Sequence, residues 1–242
     1  MPSVAEHYEH VLAGHYSWLF GGIARKIEEN RQFFHAHGII PVSNGMAVDL
    51  GCGSGFQSIP LAQLGFRVIA VDLSPTLLAE LTSHKGALLI ETIQDDLLHF
   101  PLHLQGQTEI CVCMGDTLTH LDSLDVIAKL FQQVWDHLAC GGAFVLTFRD
   151  LSVELTELDR FLPLRSEPNK IFTCYLEYEP EHVKVHDLVY ERVDEQWVLN
   201  KSFYRKCRAS FAWVKETLHG AGFDLSMATL DKGLVTIIAR KR

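Results

Sequence analysis

Apolar and polar positions group into blocks along the chain, and the first half predicts strands that alternate with helices. The clearest part is 46–78, which reads MAVDLGCGSGFQSIPLAQLGFRVIAVDLSPTLL. An apolar run at 46–50 precedes a glycine loop at 51–55, a helical stretch at 56–64 and a second apolar run at 68–72. This order predicts a strand, a loop, a helix and a second strand of a parallel sheet.

The alternation continues as far as residue 150. Apolar runs at 88–93, 109–114 and 143–148 predict three further strands. Before the last of them, apolar residues recur at the spacing of one buried helix face, and the glycines at 141–142 predict where that helix ends.

The regions on either side of this core have different patterns. Apolar positions at helical spacing predict a helical cap over 1–40, with helices at 3–37 that break near 21–22. After residue 150 the runs become short and alternating, which predicts an antiparallel meander at 168–206. A final helix and a hairpin are predicted over 207–242.

Composition and charge narrow the class of protein. Of the 242 residues, 48% are hydrophobic and 21% are charged, as in globular proteins with a sizeable core. A net charge of −9 gives no reason to expect binding to nucleic acid or to an anionic membrane surface. We find no secretory signal and no apolar run near the ~18 residues of a membrane-spanning helix. We therefore expect a cytoplasmic protein.

The residue types that bind metals do not occur at metal-binding spacing. The six cysteines include no C-x-x-C pair, and the 13 histidines form no convincing H-x-x-x-H motif with a supporting acid. We therefore expect small buried thiols in a reducing compartment and no metal site.

The glycine loop and Asp72 predict a nucleotide-like ligand. Glycines let a strand turn sharply into a helix while a ligand lies against the backbone. An acid at the end of the second strand is where such folds bind a ribose. The dinucleotide fingerprint G-x-G-x-x-G does not fit, because Phe56 stands where its last glycine would fall. An NAD(P)-dependent oxidoreductase is therefore kept as an alternative that Asp72 suits and Phe56 opposes.

Two motifs carry a family resemblance. Asp49, Gly51, Gly53 and Gly55 spell D-x-G-x-G-x-G after the first strand, and 72–75 spell D-L-S-P after the second. With this pair the chain resembles the class I S-adenosylmethionine-dependent methyltransferases of small-molecule type. The resemblance implies S-adenosyl-L-methionine as the cofactor.

The resemblance also implies a fold. It is an α/β fold with a Rossmann-like, doubly wound, seven-stranded sheet that has a terminal antiparallel strand, N-terminal helices and an inserted antiparallel β-meander. A single domain would then comprise the helical cap at 1–40, a cofactor-binding core at 46–150, the meander at 168–206 and the final helix and hairpin at 207–242.

The resemblance assigns cofactor contacts as well. An acid after the third strand would hold the adenine together with the next residue, which selects Asp96 and Leu97 and leaves Asp95 as the competitor. An N-terminal helix would bring Tyr16 or Arg25 to the amino-acid tail of the cofactor. The other implied contacts are Asp49, Gly51, Cys52, Gly53, Gly55, Asp72, Leu73, Met114 and Gly115.

His120 is the predicted catalytic residue. It follows the fourth strand, at the carboxyl edge of the sheet where ligands bind, and histidine has a pKa near working pH. It could therefore take a proton from an amine or a hydroxyl group. The alternative is a structural histidine that caps a helix or contacts the cofactor. Asp116 and Arg149 are the predicted substrate contacts, and each could instead be structural.

The expected function is methyl transfer to a nitrogen or oxygen atom of a small molecule. No N/D-P-P-Y/F motif, which base-modifying enzymes of this class carry, follows the fourth strand. We expect no nucleic-acid or membrane partner, and a monomer or a homodimer. A non-catalytic S-adenosylmethionine-binding protein is the other interpretation. The aromatic residues of the meander either wall a substrate pocket or pack on the core or a second subunit; they are Tyr175, Tyr178, Tyr190, Trp197 and Tyr204.

Overall fold

The N-terminal helical cap consists of short helical pieces. The computed structural model describes residues 4–242, so 1–3 of the predicted cap lie outside the described residues. A π-helical turn and a 3₁₀ turn separate α1 from α2, and the predicted break at 21–22 separates α2 from α3. The pieces are α1 (Val4–His7), the π-helical turn Tyr8–Leu12, the 3₁₀ turn Ala13–His15, α2 (Tyr16–Leu19) and α3 (Ile23–Ala36).

Strands and helices alternate in the core as predicted. The Ser74 hydroxyl caps one of these helices by accepting a hydrogen bond from the Leu77 N–H. The elements are β1 (Met46–Leu50), α4 (Ser58–Gln63), β2 (Arg67–Asp72), α5 (Pro75–His84), β3 (Ile90–Gln94), β4 (Thr108–Cys113), α6 (Leu124–His137) and β5 (Leu138–Arg149). Two 3₁₀ turns, Leu97–His103 and Thr117–His120, follow β3 and β4.

One predicted boundary in the core is wrong. The glycines at 141–142 were expected to end the helix, but α6 ends at His137 and β5 already begins at Leu138. A Cβ on Gly142 would lie 2.9 Å from the Glu109 carbonyl oxygen, so this glycine permits a close approach of two strands.

The second half contains a separate antiparallel sheet and the end of the main sheet. Its elements are β6 (Phe161–Glu167), β7 (Lys170–Tyr178), β8 (His182–Val193), β9 (Gln196–Cys207), α7 (Phe211–Gly220), β10 (Asp224–Asp231) and β11 (Leu234–Arg240). We call β6–β9 the inserted sheet. The predicted meander at 168–206 missed β6, which has no buried residue and a register shift next to Pro163 and therefore no alternating apolar pattern.

The main sheet has seven strands in the order β10-β11-β5-β4-β1-β2-β3, and this confirms the predicted fold class. The pairs from β5 to β3 are parallel, whereas β11 is antiparallel to β5 and to β10. Val48 faces a core formed with α6 and α7, and Ala47 faces one formed with α3, α4 and α5. Helices therefore cover both faces, as parallel sheets require.

This topology determines where a site can form. Asp72 at the end of β2 is in register with Gln94 at the end of β3, and Leu50 at the end of β1 is in register with Val71. The loops after β1–β4 therefore meet at one edge of the sheet. Strand β9 contacts both α1 and the turn Thr117–His120, which brings the inserted sheet to the same edge.

Three further observations apply to the described residues. Cys140 is exposed, and the other five cysteines are buried. Within 4–242, we find no group of three or more acidic, histidine or cysteine side chains that could hold a metal ion. No helix in the same range is long and apolar enough to cross a membrane.

Candidate functional site

The glycine loop between β1 and α4 is tightly enclosed. Gly51 and Gly55 have φ angles of 70° and 85°, a region that residues with a Cβ rarely adopt. A Cβ on Gly51 would lie 2.2 Å from Cγ2 of Thr117, and one on Gly55 would lie 2.2 Å from Cδ1 of Leu81. Both positions therefore require glycine for conformation and for space.

Asp72 is held in one orientation at the end of β2. Its Oδ2 accepts a hydrogen bond from the Gly53 N–H at 2.8 Å, and its Oδ1 accepts one from the Ser74 N–H at 2.8 Å. Burial raises the pKa of this carboxyl group, and the main-chain N–H groups oppose that rise. Each oxygen keeps a free lone pair, so the carboxylate can accept from the two hydroxyl groups of a ribose.

A cavity of about 280 Å³ lies beside this carboxylate. That volume is close to the lower end of the range of about 300–1,000 Å³ typical of small-ligand pockets. The cavity brings together many of the predicted residues from α2 and the loops after β1–β4. Those that line it are Tyr16, Gly51, Gly53, Asp72, Leu73, Asp95, Asp96, Leu97 and His120.

The two acids after β3 differ in what they bind. Asp95 accepts hydrogen bonds from His99 at 2.9 Å and His103 at 2.8 Å, which lower its pKa to about 2. Asp96 caps the following 3₁₀ turn, and its Oδ1 accepts from the Leu98 N–H at 2.8 Å. One oxygen of Asp96 thus stays free, which favours Asp96 over Asp95 for an exocyclic amino group.

Tyr16 and Arg25, the two candidates from the N-terminal helices, lie in different surroundings. Tyr16 stacks on Phe56 with ring centroids 5.4 Å apart and lines the cavity. The side chain of Arg25 is 69% exposed, lies outside the cavity lining and pairs with Glu29 at 2.7 Å. The structure therefore does not bring Arg25 to the site. Apolar residues at helical spacing predict which face of α3 is buried, but they do not predict that Arg25 pairs with Glu29.

Asp49 provides a test of whether this site fits S-adenosylmethionine. It is 1% exposed, and its Oδ2 accepts from the Ser58 hydroxyl at 2.6 Å. Its Oδ1 has no hydrogen-bond partner, and burial raises its pKa to about 7. A buried oxygen without a donor is costly, and the ammonium group of an amino acid would supply one. Asp49 does not itself line the cavity, but its unpaired acceptor oxygen is the kind of group that pairs with the ammonium group of S-adenosylmethionine, so this acid fits the cofactor.

The remaining predicted cofactor residues do not line the cavity either; they are Cys52, Gly55, Met114 and Gly115. Burial raises the pKa of the Cys52 thiol, which makes this side chain inert. The Met114 carbonyl oxygen accepts from the Thr117 hydroxyl at 3.1 Å. The Gly115 N–H donates to the Thr147 hydroxyl at 2.8 Å.

His120 lies in an aromatic surrounding. The Tyr8 hydroxyl is 3.2 Å from its Nε2, and the Tyr204 ring centroid is 5.2 Å from its own, while Nδ1 has no partner. Burial, and then the charge of Lys206, lower the pKa of His120 to about 3. The expectation of a pKa near working pH is therefore wrong, because that expectation took no account of burial.

The two predicted substrate contacts also contact each other. Asp116 has a φ of 76°, and its Oδ1 accepts from the Arg149 N–H at 2.5 Å. Its Oδ2 accepts from the Lys206 ammonium group at 2.8 Å. Burial opposes ionisation of Asp116, but Lys206 and Arg149 together outweigh it and lower the pKa of this carboxyl group. Asp116 is therefore already paired, and neither it nor Arg149 lines the cavity.

The segment 4–12 closes the cavity from above. Val4 and Tyr8 line it, and the His7 Nε2 donates to Asp187 Oδ2 at 2.9 Å on the inserted sheet. Glu9 accepts from the Ser74 hydroxyl and, at 2.6 Å, from Thr76 on the main-sheet side. Tyr8 is a site residue that the sequence pattern did not single out, because its partner His120 lies far away along the chain.

Comparisons with known proteins agree with this geometry. Residues 47–142 match the methyltransferase domain family. Glycine/sarcosine N-methyltransferase of Aphanothece halophytica is 30% identical over 113 residues, which are 46% of this chain and 42% of that protein. The chain thus spans less than half the length of that relative.

Solved structures share the fold. The CcbJ methyltransferase of Streptomyces caelestis superposes with a TM-score of 0.75 at 19% identity, over 91% of this chain and 98% of that one. The sugar N-methyltransferase KedS8 of Streptoalloteichus superposes with a TM-score of 0.72 at 14% identity, over 99% and 94%. The chain therefore contains a methyltransferase domain at 47–142, and over nearly its whole length it is similar in fold to solved methyltransferases.

Proposed function

We propose that this protein transfers a methyl group from S-adenosylmethionine to a nitrogen atom of a small molecule. The Asp72 carboxylate carries the proposal. Two main-chain N–H groups orient it, and it lines a cavity that extends to His120. An acid in this position suits the ribose of an adenosine.

Three acids of the chain would hold the cofactor. Asp72 accepts from the ribose, Asp96 from the adenine amino group and Asp49 from the ammonium group of the amino-acid tail. When bound, S-adenosylmethionine supplies a methyl group that is already activated. The chain itself then orients the acceptor and excludes water.

The state of His120 favours a nitrogen acceptor over an oxygen acceptor. A histidine whose pKa is lowered to about 3 is a weak base and cannot ionise a hydroxyl group to any useful extent. A neutral amine needs no such base before it attacks. The neutral imidazole can still accept a hydrogen bond from the amine and orient its lone pair.

The names of similar proteins support the same choice. The Aphanothece relative and KedS8 are both named as N-methyltransferases. We infer that the acceptor is an amine small enough to reach the cavity beside His120, and that His120 orients it.

The test has two stages. Calorimetric titration with S-adenosylmethionine and with S-adenosylhomocysteine should show binding of both ligands, and no heat from either would refute the proposal. A panel of amino acids, amino sugars and matched alcohols, assayed for S-adenosylhomocysteine formation, should then yield turnover with an amine. Turnover with alcohols alone would refute the choice of nitrogen.

A further inference from the structure

Lys206 is a buried cation that the inserted sheet brings to the site. It lies on β9, and its side chain is only 9% exposed. A buried ammonium group is costly without a partner, and the partner here is Asp116, whose Oδ2 lies 2.8 Å from Nζ. The inserted sheet therefore makes a charged contact with the loop after β4.

Asp116 is the point at which three parts of the chain meet. Its carboxylate joins Lys206 of β9 and the main-chain N–H of Arg149 at the end of β5. Its carbonyl oxygen accepts from the Thr119 hydroxyl at 2.8 Å, which closes the turn Thr117–His120. Asp116 has a left-handed backbone, which aspartate tolerates better than most residues, and these contacts hold it there.

The turn that Asp116 begins carries His120 into the cavity. We propose that Lys206 is a positioning residue of the acceptor site: its ammonium group holds Asp116, and through Asp116 the turn that presents His120. This role rests on the proposed function, since it concerns the residue that orients the acceptor. It gives the inserted sheet a part in the reaction beyond packing.

The charge of Lys206 also affects the protonation of His120. The groups that face His120 come from several elements: His7 from α1, Tyr8 from the π-helical turn, Asp116 from its own loop, and Tyr204 and Lys206 from β9. Among the charged ones, Lys206 opposes protonation of His120 and Asp116 favours it. Removal of Lys206 alone leaves the anion, so His120 should become easier to protonate.

The test compares Lys206→Met with Lys201→Met, an exposed lysine on the same strand. Proton NMR follows the titration of the His120 imidazole, assigned by its absence in His120→Asn. In Lys206→Met the titration should move to higher pH, and kcat/KM for the amine that the panel identifies should fall by about 100-fold, as misplacement of a reacting group does. Affinity for S-adenosylhomocysteine should not change. Lys206→Arg should restore kcat/KM, and Lys201→Met should behave like the wild type.

A second variant keeps the proposal testable if Lys206→Met does not fold. Asp116→Asn combined with Lys206→Met removes both charges and keeps a residue that tolerates the left-handed backbone. It should fold, leave the titration of His120 low and still lose kcat/KM. Wild-type kcat/KM in this variant, or an unchanged His120 titration in folded Lys206→Met, would overturn the proposal. Calorimetry and NMR need no methyl acceptor. A failure of the proposed function can therefore be distinguished from a failure of the role proposed for Lys206.

Discussion

The hydroxyl group of Tyr8 lies 3.2 Å from Nε2 of His120, although 112 positions separate the two residues. Burial raises the pKa of Tyr8, so the hydroxyl group keeps its proton. A neutral hydroxyl group can donate to Nε2 or accept from it, so this contact is compatible with either tautomer of the neutral imidazole. The N-terminal segment thus makes a direct polar contact with the histidine at the cavity.

Tyr8→Phe should slow turnover without affecting cofactor binding. The variant removes one hydrogen bond of about 1 kcal/mol, so kcat/KM for the amine should fall about fivefold. Tyr175→Phe on the inserted sheet is the control, because Tyr175 packs on Phe161 away from the cavity. Equal kcat/KM in both variants would show that the Tyr8 contact has no part in the reaction.

His120 should make the fold sensitive to acid. Its folded pKa of about 3 is below the ordinary value of 6.5, so the unfolded chain binds the proton and the native state does not. Stability from this group is full above pH 6.5 and falls as the pH drops toward 3, by about 1.4 kcal/mol per pH unit. Urea unfolding of His120→Asn at pH 7 and pH 5 should show a smaller loss than the wild type. His84→Asn, at an exposed position, should keep the wild-type loss.

Asp49 should act with the opposite sign. Its folded pKa of about 7 is above the ordinary value of 3.8, so its contribution to stability is greatest at low pH and declines as pH rises toward 7. Asp49→Asn should therefore be more stable than the wild type at pH 8, by up to about 4 kcal/mol, and similar to it at pH 4. The same variant should bind S-adenosylmethionine more weakly. A stability difference that does not vary with pH would contradict the buried carboxylate.

Gly51→Ala should destabilise the fold by more than backbone strain alone. Gly86 has a φ of 54° with nothing within 4 Å of an added Cβ, so Gly86→Ala measures the strain. Gly51→Ala adds a clash with Thr117 and should cost about 1–3 kcal/mol more, measured by urea unfolding. Equal losses would mean that the loop moves freely away from Thr117.

Asp72→Asn should weaken binding of S-adenosylhomocysteine by about 10- to 100-fold, because a charge-assisted hydrogen bond contributes about 1.5–3 kcal/mol. The NH₂ group of the new asparagine would also face the N–H of Gly53 or of Ser74, both of which now donate to the carboxylate. Calorimetry measures the loss, with Asp231→Asn on an exposed part of β10 as the control. Unchanged affinity would place the ribose elsewhere.

The parts of the site that follow from the sequence are the local ones. Gly51 and Asp72 lie within one strand–loop–helix–strand unit, where spacing along the chain determines position in space. The five strands of the core follow from the same regular alternation, whereas the full seven-stranded sheet was implied by the family resemblance. Strand β6 was missed because no alternation marks it.

The contacts that pattern reasoning could not predict join distant parts of the chain. Lys206 and Asp116 are 90 positions apart, and the pair forms only because the inserted sheet lies beside the loop after β4. The alternation of β9 puts Tyr204 and Lys206 on one face but does not say what that face covers. The low pKa of His120 depends on the same burial.

The hydrogen bond between His7 and Asp187 joins residues 180 positions apart. A contact of that separation closes a long loop, so we expect it to form late in folding, after more local contacts have offset the entropy. During synthesis, Val11 and Leu12 leave the ribosome long before Phe172 and Val189, the residues on which they pack. We therefore expect the cover of the cavity to be the last part of the site to assemble.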